Sequence, residues 1–104
     1  MIADPATVVL TAHVAHWIDE RPARTAWILD CLRRHNSGDW GDLDADDTAA
    51  NHHALRTRDG RILSSYPIPA ELAEPCTDET VIWIITDDVA DPDTLTTVLW
   101  PSDY

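Results

Sequence analysis

The period of apolar residues changes midway along the chain, from a helical spacing to a strand spacing. Thr7-Val8-Val9-Leu10 is a β-branched run that predicts a short strand. Thr11 is placed to cap a brief helix in which Val14, Trp17 and Ile18 recur at i, i+3 and i+4. Pro22 disfavours helical geometry at Arg21, so the first helix stops there. The same proline suits the opening residue of a second helix over 22–36. That helix gathers Trp27, Ile28, Cys31, Leu32 and His35 on one side. Arg33, Arg34 and His35 fall in its last turn, where they complement the helix dipole, and Ser37-Gly38 ends it. A third helix is expected over 45–57, opened by Asp44 with Asp47 three residues on and closed before the Asp59-Gly60 turn.

Past that turn the pattern is that of strands. Arg61–Tyr66 reads as one, Thr80–Thr86 as a second and Thr94–Trp100 as a third, which Pro101 halts. The middle run is apolar at every position between its threonines, as in a strand buried on both faces. The segment 67–79 is polar and proline-rich and reads as a loop, and Asp87 through Asp93 reads as a turn. Short connections favour an antiparallel meander. The expected architecture is a single α+β domain over 1–104, a three- to four-stranded and mainly antiparallel sheet with two or three helices on one face.

Charge alters this picture more than composition does. Nineteen acidic side chains face seven basic ones among 104 residues, a net charge of −12, and the seven are all arginines between Arg21 and Arg61. A GC-rich genome explains arginine in place of lysine, but not the excess of carboxylates. A field of this sign repels nucleic acid and favours basic partners. No window is long and apolar enough to span a bilayer, and MIADPATVVL has no basic leader followed by a cleavage site. A cytoplasmic location is the expectation, with neither membrane nor direct nucleic-acid contact. Cys31 and Cys76, 45 residues apart, form no redox or zinc motif. Cys31 reads as a small core residue.

The densest local signal is Gly38-Asp39-Trp40-Gly41-Asp42-Leu43-Asp44-Ala45-Asp46-Asp47. Asp42, Asp44 and Asp46 alternate as in a calcium loop, but Asp47 stands where that loop needs glycine and His53 where it needs glutamate. His13, His16, His35, His52 and His53 show no zinc spacing. Neither a metal nor a cofactor is therefore expected. No phosphate loop or dinucleotide fingerprint is present, and Ser64 and Ser65 lack a nucleophile elbow. His35, Asp39 and Asp42 could act together in general acid–base catalysis if a cleft united them. Trp40 is either a packing residue beneath the third helix, the preferred reading, or an exposed recognition aromatic.

The stretch His35-x-x-Gly38-Asp39-Trp40-Gly41-Asp42-Leu43, then Asp46, Asn51 and Ala54-Leu55, resembles a group of short bacterial proteins of unknown function called plasmid-related proteins. The resemblance continues through Arg61-Ile62-Leu63-Ser64-Ser65-Tyr66, Ile82-Trp83-Ile84-Ile85-Thr86 and Thr96-Thr97-Val98-Leu99-x-Pro101-x-x-Tyr104, about two-thirds of the chain. It implies carriage on plasmids, phages and other mobile elements and brings no chemistry with it. Some members carry a restriction–modification label, which this chain is too short to support as a methyltransferase. Where the group has Glu-Ala-Asp-Arg after its Trp-Ile-Ile-Thr strand, this chain has Asp87-Asp88-Val89-Ala90-Asp91, so the arginine is absent.

The leading expectation is a small acidic binding protein that blocks a basic, nucleic-acid-binding surface of a partner. The carboxylates of Asp39, Asp42, Asp44, Asp46 and Asp47, with those of Asp87, Asp88, Asp91 and Asp93, would stand in for phosphates beside Trp40. The alternatives are a small hydrolase or nuclease using His35, Asp39 and Asp42, and a structural domain that forms a homodimer through a sheet face or edge.

Overall fold

Pro22 opens the longest helix of the protein, α2 (Pro22–Ser37), and Gly38 closes it in the left-handed conformation at φ 89°. That position is where glycine avoids the Cβ penalty. The computed structural model describes residues 7–73 and 79–104. Ahead of α2 lie the strand β1 (Thr7–Leu10) and the helix α1 (Ala12–Asp19), whose N-cap Thr11 accepts from the Val14 N–H. Helix α3 (Ala45–Thr57) starts at Asp44, whose carboxylate accepts from the Asp47 N–H at 2.8 Å. It ends at Arg58, a non-glycine residue held at φ 54°.

The remaining strands are β2 (Ile62–Pro67), β3 (Val81–Thr86) and β4 (Leu95–Leu99), with a short helix α4 (Ala70–Ala73) between the first two. A 3₁₀ turn, Pro101–Asp103, follows β4. The fold is α+β, as the sequence indicates. The sheet order is β1-β4-β3-β2, and β2, β3 and β4 form the expected antiparallel meander. The addition is β1, which pairs with β4 in parallel, Val8 opposite Thr96 and Leu10 opposite Val98. α4 occupies part of the segment read as a loop. Pro67 belongs to β2, and residues 74–78, with Cys76, lie outside the described residues.

Alternation along the strands separates two faces. On one, Tyr66, Ile82, Ile84 and Val98 pack against Val14 and Trp17 of α1 and Ile28 and Cys31 of α2. Full burial of side chains of this size contributes about 1.5–3 kcal/mol each. Arg24 is wholly buried where α1, α2 and α4 meet. Its guanidinium donates to the Leu72 and Trp17 carbonyls, both at 2.9 Å, and lies 4.4 Å from the Trp17 ring centre. Among the described residues no helix packs on the opposite face. α3 instead runs beside the outer edge of β2, where the Asn51 amide donates to the Leu63 carbonyl at 2.7 Å and accepts from its N–H at 3.0 Å. Among the described residues no helix is long and apolar enough to cross a membrane.

Candidate functional site

The acidic loop between α2 and α3 owes its course to Gly41. Here φ is +72°, and a Cβ would stand 2.2 Å from the Ser65 carbonyl oxygen and 2.7 Å from the Tyr66 ring. Only glycine lets the loop lie this close to β2. Ser65 N–H donates to the Trp40 carbonyl and Asp42 N–H to the Ser65 carbonyl, so the loop extends the sheet locally. The Tyr66 hydroxyl donates to the Asp39 carbonyl at 2.7 Å. Trp40 is buried with Ala54 and Ile62 and meets the His52 ring edge-on at 5.0 Å. It is a packing residue, which removes it from the set of exposed recognition groups.

The second acidic segment comes to the same end of the molecule. Val89 donates its N–H to the Gly60 carbonyl at 2.9 Å, and its side chain packs against the Trp40–Ala54–Ile62 cluster, as does Leu43. The two carboxylate runs, distant in sequence, therefore flank one corner of the fold. Their members divide by role. The Asp39 carboxylate binds the Arg34 guanidinium at 2.8 and 3.3 Å, and that bonding holds its carboxyl below the ordinary carboxylate range. Asp44 caps α3. Asp88 accepts from the Ala90 N–H and Asp91 from the Asp93 N–H, each shaping its own turn. Among the described residues, the carboxylates of Asp42, Asp46, Asp47, Asp87 and Asp93 accept no hydrogen bond and pair with no cation.

His35 is placed differently from the acids that the sequence grouped with it. It is buried at 1% exposure, with Nδ1 2.5 Å from Ser64 Oγ and Nε2 2.9 Å from Thr86 Oγ1. Thr86 Oγ1 lies in turn 2.9 Å from Thr96 Oγ1. Burial pushes the imidazole down to a pKa of about 4, so it is neutral. One ring nitrogen donates and the other accepts. Asp39 and Asp42 are exposed. The structure does not bring His35 together with them, because both of its nitrogens are engaged inside the core. Cys31 is likewise interior, and burial raises its thiol to about 12. Among the described residues no three His, Cys, Asp or Glu side chains are grouped so as to hold a metal ion.

The helix-free face of the sheet, whose central residues Leu63, Ile85 and Leu99 are nonetheless buried, carries a feature the sequence-based expectations did not include. A groove of about 220 Å³ is lined by Arg61, Ile85, Asp87, Thr97, Leu99 and Tyr104. Its floor belongs to a cluster of Leu63, Ile85 and Leu99, against which Leu43 and Trp83 pack. Tyr104 meets Trp83 edge-on at 5.9 Å and is 77% exposed. The signal lay in β3, whose apolar residues fill both faces although the helices suffice to cover one. No protein-family model, curated protein or solved structure matches the chain.

Proposed function

We propose that this chain is a small acidic binding protein that occupies a basic surface of a protein partner, excluding nucleic acid from it by electrostatic occlusion. The observation that carries this reading is the convergence of the 39–47 and 87–93 carboxylates on one corner of the fold, with Asp42, Asp46, Asp47, Asp87 and Asp93 left without a cation among the described residues. Three of the arginines that could have neutralised them are engaged elsewhere, and Arg61, which lines a groove with Asp87, forms no ion pair with it. Arg24 is buried, Arg33 holds Asp30, and Arg34 holds Asp39. Unpaired carboxylates attract arginine and lysine as phosphates do, and exposed charge of this kind acts mainly on association rate and specificity. The resemblance to plasmid-related proteins supports an origin on a mobile element, and a host or element-encoded nucleic-acid-binding protein in the cytoplasm is the partner that fits.

The hydrolase reading built on His35, Asp39 and Asp42 is not carried forward, since a neutral imidazole bonded on both nitrogens inside the core has no face toward a substrate. The test of the binding reading is competition. Nucleic acid bound to basic proteins of the native host should be displaced by the chain at low ionic strength, and the displacement should fade as salt approaches about 0.5 M, where the Debye length falls to a few ångströms. Displacement that ignores salt, or none at all, removes the reading.

A further inference from the structure

The groove on the helix-free sheet face is lined by Asp87 of one acidic segment, while Leu43 of the other packs on the apolar cluster at its floor, and this juxtaposition says what would fill it. Leu43 packs against the cluster of Leu63, Ile85 and Leu99, two of which line the groove, and this brings its chain neighbours Asp42 and Asp44 to the same part of the fold. Asp87 lines the groove itself. We propose that this groove is the seat of an amphipathic cationic segment of the partner, with one apolar side chain held against Ile85, Leu99 and Tyr104 while flanking arginines or lysines meet Asp42, Asp44 and Asp87. The proposal rests on the acidic-binding reading above and adds to it the place and chemistry of the contact.

Three observations select this occupant. The groove, about 220 Å³, is smaller than the roughly 300–1,000 Å³ of sites that enclose a small-molecule ligand, and suits a single anchoring side chain. A second copy of the chain would bring another −12 charges to a face already flanked by carboxylates, whereas a cationic segment neutralises them. Finally, Tyr104 and Trp83 form an aromatic wall with a largely exposed outer member, the residue type that recurs at the centre of interfaces. Arg61 is the one cation in the lining, and it shares that lining with Asp87.

The test titrates the isotope-labelled full chain at about 0.15 M salt with three peptides, one alternating leucine and arginine, one oligoarginine of equal charge, and one alternating leucine and serine. The leucine–arginine peptide should bind about tenfold tighter than oligoarginine, the gain of one buried apolar anchor. Its chemical-shift changes should gather on Ile85, Thr97, Leu99 and Tyr104. Tyr104→Ala should weaken it about fivefold, the loss of part of one aromatic contact. Leu29→Ala, an exposed apolar position on α2, should leave it unchanged. Equal affinity for both cationic peptides, with Ile85, Thr97 and Leu99 unmoved, overturns the groove as the seat and leaves acidic binding standing. Failure of both cationic peptides to bind, or equal binding by the uncharged one, overturns the acidic reading as well. A concentration-dependent dimer that shifts the same residues without peptide assigns the groove to a second copy and also overturns the proposal.

Discussion

His35 Nδ1 and Ser64 Oγ lie 2.5 Å apart across the interface between α2 and β2, and the imidazole has no other environment than the core. Its second nitrogen reaches Thr86, and Thr86 reaches Thr96, so one buried polar chain ties α2 to three adjacent strands. Such a chain stabilises only while every member is satisfied.

This arrangement fixes a pH dependence. The folded state holds His35 neutral, with a pKa of about 4 against an ordinary value of 6.5. The unfolded chain therefore takes up the proton first as pH falls. The preference for the fold is fully present above about 6.5, declines between 6.5 and 4, and is lost below, for a total of about 3 kcal/mol. Relief of carboxylate repulsion at low pH acts in the opposite sense, so the comparison is made against His35→Gln, which cannot titrate. Urea unfolding at pH 7 and pH 4.5 should show wild type losing more stability than the variant does. Equal slopes would contradict a neutral buried imidazole.

Gly41 and Gly60, both at positive φ, should respond differently to alanine. At Gly41 the new Cβ meets a backbone carbonyl at 2.2 Å in addition to the unfavourable φ, and the Trp40–Ser65–Asp42 latch must open. Gly41→Ala is expected to destabilise by more than about 2 kcal/mol. At Gly60, φ is +100° and the nearest atom is the Ala54 Cβ at 3.8 Å, so only backbone strain remains, about 1–2 kcal/mol. Thermal melts of both variants check the order, and a reversed order would refute the close approach of loop and strand.

Strand periodicity, the proline and glycine boundaries of α2, and the Asp44 cap were legible because each depends on residues near in sequence. The parallel placement of β1 was not, since its partner β4 lies some ninety residues away and nothing local marks the pairing. His35 shows the same limit at the candidate site. Its position four residues after Cys31 put it on the buried side of α2, yet its neighbours in sequence, Asp39 and Asp42, suggested a polar cleft. The hydroxyls that satisfy it come from β2 and β3, which only the tertiary fold brings near. The groove went unread for a related reason, because apolar residues on both faces of β3 are equally consistent with helices on both sides.

Asn51 closes the outer edge of β2 by imitating a strand, its side-chain N–H donating to the Leu63 carbonyl and its side-chain oxygen accepting from the Leu63 N–H. Asn51→Leu removes both bonds and leaves two buried backbone groups unpaired, a loss of about 2–3 kcal/mol. Asn51→Asp keeps the acceptor and should fall between wild type and leucine. Amide exchange at Leu63 should accelerate in both variants before that of the β3–β4 ladder. Unchanged exchange there would mean that the edge is protected without Asn51.

The carboxylates of the two acidic segments should separate into those that serve the fold and those the fold does not need. Asp44 accepts from the Asp47 N–H at the start of α3, so Asp44→Ala should lower stability by about 1 kcal/mol at any ionic strength. The carboxylates of Asp42, Asp87 and Asp93 accept no hydrogen bond and pair with no cation among the described residues, and they sit in a field of net charge −12. Converting them to asparagine relieves repulsion, which should raise stability by a few tenths of a kcal/mol at low salt and have no effect at high salt. The same three changes should reduce retention on a basic surface. A triple variant that is more stable but binds less would show that these charges are held for recognition. One that is less stable would assign them a structural role and weaken the case for an anionic docking corner.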